Sequence, residues 1–339
     1  MALATALAGV TRYASGVSHV VAFVFATLAL AGMAWIVSFA TGQVGTRFGP
    51  TITGLLHSTI GNLPEFFVVL FALGARQRTV AETAIVGSIL VNALLVLGLV
   101  IVAGAQRTDG GIMRFSPKLP NDTATLLLVS TFMIVLVGLA TSSRDLASHH
   151  IKTISNIGAV AILIVYGAWL WQYLRSDNAP IEAAEEQRLG TVASIALLAV
   201  AGIGSAFVSD WFVHALTPTI HTLNISKAFA GLVIIAIAGN AVEHAAGVVL
   251  AAKGQYELAI SVVKNSVAQI AAFLYPLLVL VSLLTATTLT FSLAPVYIGA
   301  LLGTSVLVWQ ITGDGEATVF EGVALVATFV ILATVASFE

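Results

Sequence analysis

Two glutamates within long apolar segments, Glu65 and Glu243, are the residues best placed to do chemistry. A charged side chain at the centre of a membrane helix costs on the order of 2.5 to 3.5 kcal/mol on insertion scales, so it usually marks an ion pathway or a paired site. A carboxyl group holds a proton or binds a cation, depending on its surroundings. The pair therefore predicts exchange of a cation for protons, with two neutral acids that join helices as the structural alternative.

Both glutamates end a Gly-Asn-x-x-Glu motif, with one copy in each half of the chain. Asn62 and Asn240 precede their glutamates by three residues, which places each Asn-Glu pair on one helix face. The offset that carries the first motif onto the second also carries Ser88 onto Ser266 without a gap. Hydrogen bonding between helices is the alternative role of the asparagines, and close helix packing is that of the serines. The repeated pattern predicts that each half of the chain supplies half of one site.

The polar side chains around these glutamates carry oxygen atoms and no sulfur. Hard cations such as Ca²⁺ take about six to eight oxygen ligands from carboxylates, amides, backbone carbonyls and water. The sequence has no cysteine, which excludes thiolate metal sites, disulfides and cysteine nucleophiles. Pro64 either frees the carbonyl oxygen of Ile60 as a further ligand or only kinks the helix. We expect Glu65 and Glu243 as metal ligands, within a cation- and proton-binding set of Glu65, Glu243, Asn62, Asn240, Ser88 and Ser266.

The elements that must position these residues are membrane helices. Of 339 residues, 58% are hydrophobic and 9% are charged, whereas a soluble domain has about 25% charged residues. The net charge of -2 provides no basic surface for nucleic acid. Apolar runs of about 18 residues or more predict an all-α integral membrane protein of about ten transmembrane helices. They lie near 18–40, 50–75, 79–104, 122–141, 151–174, 191–215, 227–252, 256–284, 291–311 and 317–338.

The predicted helices divide five and five around an acidic segment. The two motif helices are five crossings apart, an odd number, so they run in opposite directions and the repeats are inverted. Inverted repeats with a site at their midplane interface are typical of secondary transporters. The predicted domains are an interfacial N-terminal lead-in at 1–17, a first five-helix repeat at 18–174 with its motif in 61–92, an acidic linker at 175–190, and a second repeat at 191–338 with its motif in 239–270. A retained, tilted or amphipathic first helix is the alternative for 1–17.

At these motifs the chain, from about Gly49 onward, resembles the calcium/proton exchanger family of the calcium/cation antiporter superfamily. The matching segments are Gly239-Asn240-Ala241-Val242-Glu243-His244-Ala245, Gly61-Asn62 with Glu65, Gly87-Ser88-Ile89-Leu90 with Asn92, and Ser266 with Gln269-Ile270. The resemblance implies that the two glutamates bind Ca²⁺ in one orientation and protons in the other, with Asn62 and Asn240 as supporting ligands. It also implies that sliding of helices 1 and 6 gates the site and that the acidic linker faces the cytosol.

One departure from the family pattern concerns the ion. Lys264-Asn265 replaces the usual apolar-glycine pair before Ser266. Counting about 1.5 Å per residue from the helix ends puts Lys264 at the depth of Glu243. The lysine would either extend along a cavity towards water or pair with the carboxylate and compete with a divalent cation. We therefore hypothesise that Lys264 alters ion choice or stoichiometry, which keeps Na⁺/H⁺ or Na⁺/Ca²⁺ exchange as the alternative.

A second set of residues could tune or surround the site. His244 either positions Glu243 or packs as a hydrogen-bonded core residue. His57, where the family commonly has asparagine, is a core residue or a proton relay. Asp210, near the predicted end of helix 6, could line an ion vestibule. The full set is His244, Lys264, Asn92, Gln269, His57 and Asp210.

These features set the remaining expectations. No His-Glu-x-x-His motif or serine-histidine-acid arrangement supports an intramembrane enzyme, and two titratable acids in opposed repeats favour coupled exchange over a channel. We expect no cofactor, and as partners the lipid bilayer, the transported cation and protons, without nucleic acid. Homo-oligomerisation stays open. The expected location is integral and multi-pass, and it is the cell membrane if the source is prokaryotic. Lysine and arginine counts on the two membrane faces are nearly equal and leave the orientation undecided.

Overall fold

The computed structural model describes residues 2–14, 16–48, 60–175 and 188–339, which are almost entirely helical. The α-helices are α1 Ala2–Tyr13, α2 His19–Phe48, α3 Leu63–Gly74, α4 Arg78–Leu90, α5 Leu97–Ala105, α6 Lys118–Ser142, α7 Ile151–Arg175, α8 Thr191–Leu223, α9 Lys227–Phe229, α10 Ala236–Gly239, α11 Ala241–Ala252, α12 Tyr256–Gln269, α13 Tyr275–Val281, α14 Pro295–Thr312 and α15 Val319–Ser337. Short π-helices cover Val91–Val96, Ala230–Ile235 and Ile270–Leu274, and 3₁₀ turns cover Leu146–His150 and Ser282–Leu284.

Eight spans in the described residues are long and apolar enough to cross a membrane. They are His19–Val44, Arg78–Ala105, Lys118–Ser142, Leu146–Tyr173, Thr191–Leu223, Tyr256–Leu284, Pro295–Thr312 and Val319–Ser337. Each coincides with one of the ten predicted segments, so the all-α membrane class is confirmed. The other two predicted segments are the motif helices, and neither is a straight span. One is represented by the short helix α3, and the other by Lys227–Gly239 and Glu243–Ala252, which meet at a bend of 62° and would make a ninth span.

The two motif helices are interrupted at matching places. Asn62 and Asn240 occupy the position just before α3 and α11, where the backbone leaves the helical conformation. The π-helical segments Val91–Val96 and Ile270–Leu274 end at positions related by the same offset as the two motifs. Single π turns inside α-helices occur frequently at functional sites. The irregular backbone of this protein is therefore concentrated around the two motifs.

Helices α2 and α8 pack along each other and extend further than the sequence predicted. The predicted ends at residues 40 and 215 were wrong: α2 continues to Phe48 and α8 to Leu223. The reason is that polar residues beyond those ends are satisfied by packing. Gln43 Oε1 accepts the backbone N–H groups of Arg188 and Leu189 at 2.8 and 3.1 Å.

Two glycines, Gly87 and Gly231, allow two segments of the chain to pack closely. A Cβ atom at Gly87 of α4 would lie 2.5 Å from the Cα of Leu232, and one at Gly231 would lie 1.9 Å from Thr83 Oγ1. Side chains at both positions are therefore excluded, and the backbone of α4 lies directly against the segment that leads into the second motif. Small residues allow this close approach between membrane helices.

A short ribbon joins two connections on one membrane face. Strand β1, Ile112–Arg114, pairs antiparallel with β2, Glu316–Thr318. Arg114 Nε donates to Glu316 Oε1 at 3.0 Å across this ribbon. The ribbon ties the loop before α6 to the loop before α15.

The N-terminal lead-in at 1–17 contains helix α1, which packs against α2 and α8. A Cβ atom at Gly9 would lie 3.1 Å from the Trp211 ring, so the contact with α8 is close. With 12 residues, α1 is shorter than the roughly 20 needed to span the hydrocarbon core. Whether it lies at the interface or tilts into the membrane stays a prediction.

Candidate cation- and proton-binding site

The two glutamates occupy equivalent positions in two helix first turns. Asn62 precedes α3 and Asn240 precedes α11, and Glu65 and Glu243 follow as the third residue of each helix. The N-terminus of a helix carries partial positive charge, which stabilises a carboxylate in its first turn. Pro64 is the second residue of α3, where its missing N–H costs no helical hydrogen bond. The break before α3, rather than the proline, therefore interrupts the backbone pattern near Ile60.

Glu65 lies at the centre of the site, with 1% of its surface exposed. Ser88 and Asn240 lie beside its carboxyl group, and Glu243 is close enough to act on it electrostatically. A Cβ atom at Gly239 would lie 3.9 Å from the Cβ of Glu65, so the backbone of the second motif passes directly beside this side chain. Within the described residues, neither Glu65 oxygen makes a hydrogen bond of ordinary geometry.

Each motif asparagine contacts the opposite half of the chain. Asn62 Nδ2 donates to Gln269 Oε1 at 3.3 Å, and Asn240 Nδ2 donates to Ser88 Oγ at 3.4 Å. The first motif thus reaches α12, and the second reaches α4. These reciprocal contacts bring together four segments that are distant in sequence.

Asn92 and Ser266 complete the polar surroundings. Asn92 Nδ2 donates to the Ser88 carbonyl at 3.0 Å, so its amide stabilises the start of the π-helical turn. Ser266 is buried, and its Oγ has no hydrogen-bond partner among the residues that the structure describes. The Oδ1 of Asn62 is likewise buried and has no hydrogen-bond partner among the described residues.

The assembled groups suit a hard cation or protons. They comprise two carboxylates, two asparagine amides, a glutamine amide and two serine hydroxyls, all oxygen ligands of the kind that Ca²⁺ takes. In the described parts of the chain, no cluster of three or more His, Cys, Asp and Glu residues could hold a metal ion. A cation at this site would therefore take two carboxylates together with neutral oxygens. Because a buried polar atom without a partner is costly, the unpaired oxygens of Glu65, Asn62 and Ser266 are consistent with a site that is completed by a proton or a cation.

A family model described as sodium/calcium exchanger protein matches residues 18–174 and 193–338, which is most of the chain. The chain belongs to the sodium/calcium exchanger family. This confirms the resemblance to the calcium/cation antiporters, and makes the chain a multi-pass integral membrane protein of a transporter family.

Proteins similar to this exchanger-family chain include curated relatives and solved structures. The vacuolar calcium ion transporter of Schizosaccharomyces pombe is 33% identical over 323 residues, which cover 91% of this chain and 77% of that protein. The Ca²⁺/H⁺ antiporter ChaA of Bacillus subtilis is 29% identical over 306 residues, covering 87% and 85%. The structure of native YfkE matches with a TM-score of 0.82 at 25% identity, covering 100% and 99% of the two chains. The H⁺/Ca²⁺ exchanger CAX shares the fold, with a TM-score of 0.78 at 14% identity and coverage of 99% and 90%.

Lys264 is buried and contacts a neighbouring helix in this exchanger-family fold. It is 1% exposed, and its Nζ donates to Thr312 Oγ1 of α14 at 3.2 Å. The ion pairs found within the described ranges involve other residues. The expected extension of the lysine towards water is therefore wrong, whereas its pairing with Glu243 stays a prediction. The physical reason is that Lys264 Nζ finds an acceptor inside the bundle, the Thr312 hydroxyl, and so does not need to reach water.

The other residues predicted to tune the site are less closely connected to it. His244 is half-buried, and its Nε2 has no hydrogen-bond partner in the portion described. Asp210 is half-buried well inside α8, which continues to Leu223, rather than near the helix end as the sequence predicted. His57 lies outside the described residues.

The sequence analysis missed one residue that connects a long helix to the site. Ser209 Oγ donates to the Pro64 carbonyl at 3.2 Å, which ties α8 to the first turn of α3 beside Glu65. The feature of the sequence that could have identified Ser209 is a hydroxyl side chain next to Asp210 in a largely apolar segment. The prediction singled out the acid instead of its neighbour.

Proposed function

We propose that the protein is a secondary antiporter that exchanges Ca²⁺ for protons, with Glu65 and Glu243 as the residues that bind either ion. The observation that carries the proposal is the placement of both carboxylates in one polar cluster at the meeting point of the two motifs. The similarity to a Ca²⁺/H⁺ antiporter supports the same ion pair, and that to a vacuolar calcium ion transporter supports Ca²⁺. No cofactor takes part, since the ions themselves are the substrates.

Exchange follows from competition for the carboxylates. A divalent cation binds best to two ionised carboxylates, whereas protonation neutralises them and removes the attraction. Glu65, Glu243, Asn62, Asn240, Ser88 and Ser266 form the binding set, and Asn92 and Gln269 hold it in place. A site that is filled either by the cation or by protons couples the two fluxes when it alternates between the membrane faces.

We propose further that the chain consists of ten transmembrane helices in two inverted repeats, 18–174 and 191–338. The bent segment of the second motif and α3 supply the helices beyond the eight straight spans. The matching interruptions at Asn62 and Asn240, and the matching π-helical turns, support an internal repeat. Sliding of the packed pair α2 and α8 against the other helices is the proposed gating motion, and the Ser209 contact transmits it to α3.

The surroundings of the protein follow from this assignment. We propose a transporter without enzymatic activity in the cell membrane, whose partners are lipid, Ca²⁺ and protons, and not nucleic acid. The linker at 175–190 then faces the cytosol. The alternative of sodium as a transported ion depended on Lys264 acting at Glu243. Lys264 Nζ donates to Thr312, and this contact supports the assignment of Ca²⁺ over sodium.

The test is ion flux in proteoliposomes under an imposed pH gradient, with Ca²⁺, Na⁺ and K⁺ compared in separate runs. We expect Ca²⁺ uptake that depends on the gradient and is reduced to background in Glu65→Gln and in Glu243→Gln. Glu316→Gln, which alters a carboxylate of the surface ribbon, is the matched control and should transport normally. Flux that ignores the pH gradient would exclude antiport, and full activity in both site variants would exclude this pair as the site.

A further inference from the structure

A cavity of about 330 Å³ lies apart from the glutamate site, where α6 and α12 begin and α7 ends. Its lining includes Lys118, Asp122, Trp169, Tyr173, Glu257 and Ile260. The backbone N–H of Ser116 donates to Glu257 Oε1 at 2.6 Å, which fixes the start of α12 beside the loop that leads into α6. The size lies within the range of about 300 to 1,000 Å³ typical of small-molecule sites.

The position of the cavity corresponds to the depth of lipid headgroups. Its lining residues lie within six residues of a helix end, which is about 9 Å at 1.5 Å per residue. Tryptophan and tyrosine are enriched at this level of membrane proteins. Helix α7 exposes its outer side, where Trp171 and Ile164 are 62% and 67% exposed. The cavity therefore lies beside a helix that faces lipid.

Three charged side chains line the cavity, and none of them forms an ion pair with another described residue. Asp122 and Glu257 supply two carboxylates and Lys118 one ammonium group, and the ion pairs among the described residues involve none of the three. The rings of Trp169 and Tyr173 stack with centroids 5.3 Å apart. Carboxylates beside aromatic faces attract an organic ammonium group through charge and cation–π contact.

One of the residues that line the cavity carries a hydrogen-bond donor without a described acceptor. Trp169 Nε1 is buried and, in the described part of the chain, has no hydrogen-bond partner. A buried N–H donor without an acceptor is costly. Together with Lys118, this donor suits a phosphate or ester oxygen. A ligand that satisfies the whole cavity thus carries an ammonium group and a phosphate close together.

We propose that this cavity binds the headgroup of a zwitterionic phospholipid. The ammonium group lies between Asp122 and Glu257 against the aromatic rings, and the phosphate lies at Lys118 and the indole N–H of Trp169. Ile260 and its apolar neighbours contact the glycerol end. The site is independent of the glutamate pair and does not depend on which ion the protein transports.

The test compares two lipids on the full chain, purified in maltoside micelles. Dioleoyl phosphatidylethanolamine and dioleoyl phosphatidylglycerol share acyl chains, but the second lacks the ammonium group. Native mass spectrometry at increasing lipid concentration gives an apparent affinity for each. We expect tighter binding of the ethanolamine lipid, and a loss of about tenfold in its affinity in Asp122→Asn/Glu257→Gln, equal to about 1.4 kcal/mol. Binding of the glycerol lipid should not change.

The matched control is Asp109→Asn/Glu316→Gln, which removes two carboxylates from connections on the same membrane face and outside the cavity. Equal affinity for the two lipids in the wild type, or the same loss in the control, would overturn the proposal. So would displacement of the ethanolamine lipid by millimolar CaCl₂, which would indicate a divalent cation site. If the double variant does not fold, Trp169→Phe keeps the ring and removes only the N–H. Unchanged affinity in that variant would also count against the site.

Discussion

The two Gly-Asn-x-x-Glu motifs have the same sequence pattern but different surroundings. Glu65 is fully buried against Ser88, Asn240 and the backbone of Gly239, whereas Glu243 is partly exposed. The two carboxylates are thus close together but not equivalent. Glu65 is therefore enclosed by its neighbours, whereas part of the Glu243 residue remains exposed.

The difference continues into the helices that follow the motifs. Gly87 precedes Ser88 and lies against the backbone of Leu232, whereas the matching residue before Ser266 is Asn265. Asn265 Nδ2 instead contacts Tyr173 Oη at 3.5 Å and Ser261 Oγ at 3.3 Å. The first half therefore gives the site a tightly packed wall, whereas the second half has a polar, hydrogen-bonded side chain at the matching position.

The largest expected effect comes from shortening each glutamate to aspartate, which should affect Glu65 more than Glu243. Glu65→Asp withdraws a carboxylate from a position fixed by packing, and a misplacement of about 1 Å can cost a hundredfold in rate. We expect a loss of Ca²⁺ uptake of about a hundredfold for Glu65→Asp and of about tenfold for Glu243→Asp, where water can fill the gap. Uptake by proteoliposomes under a fixed pH gradient measures both. Equal losses would mean that the two carboxylates are equivalent in the working cycle.

The close contact between Gly87 and Leu232 can be tested by adding one methyl group at Gly87. Gly87→Ala would place a methyl group 2.5 Å from the Cα of Leu232, and such overpacking costs up to about 3 kcal/mol. The thermal unfolding midpoint in micelles should fall accordingly. Gly299→Ala is the control, because a Cβ atom there meets nothing within 4 Å. An unchanged midpoint in Gly87→Ala would show that the two helices can separate at little cost.

Much of this arrangement follows from the sequence. The apolar runs identified the eight straight spans, and the constant offset between the two motifs paired Asn62 with Asn240 and Ser88 with Ser266. The prediction that Glu65 and Glu243 are functional rested on the cost of a charge in an apolar helix. This cost can be judged from the neighbouring residues in the sequence alone. The site residues remain predictions as ion ligands, although the structure brings Glu65, Asn62, Asn240, Ser88 and Gln269 together.

What the sequence could not predict depends on direction and on contacts between distant helices. Depth counting put Lys264 level with Glu243 but could not tell that it points towards α14. The ends of α2 and α8 were placed too early, and for α2 the backbone partners that satisfy Gln43 could not be known from the sequence. Ser209 was missed for the same reason, since its acceptor lies 145 residues away.

A smaller effect is expected at the buried lysine that distinguishes the second half. Thr312→Val removes the acceptor of Lys264 Nζ and leaves a buried polar group without a partner, at about 1 to 3 kcal/mol. Lys264→Met should restore most of that loss in the double variant, because no polar group then remains unpaired. Unfolding of the two single variants and the double variant measures the coupling. Additive losses would mean that the contact between the two side chains contributes nothing.

The smallest expected effect concerns Asn265, the counterpart of Gly87. Hydrogen bonds between membrane helices average about 0.6 kcal/mol, and those of Asn265 are long. Asn265→Ala should therefore lower stability by no more than this and leave Ca²⁺ uptake unchanged, whereas Asn62→Ala, which loses its contact with Gln269 inside the site, should reduce uptake. Parallel flux and unfolding measurements on the two variants check this. If Asn265→Ala reduced uptake as much as Asn62→Ala, Asn265 would be part of the binding site.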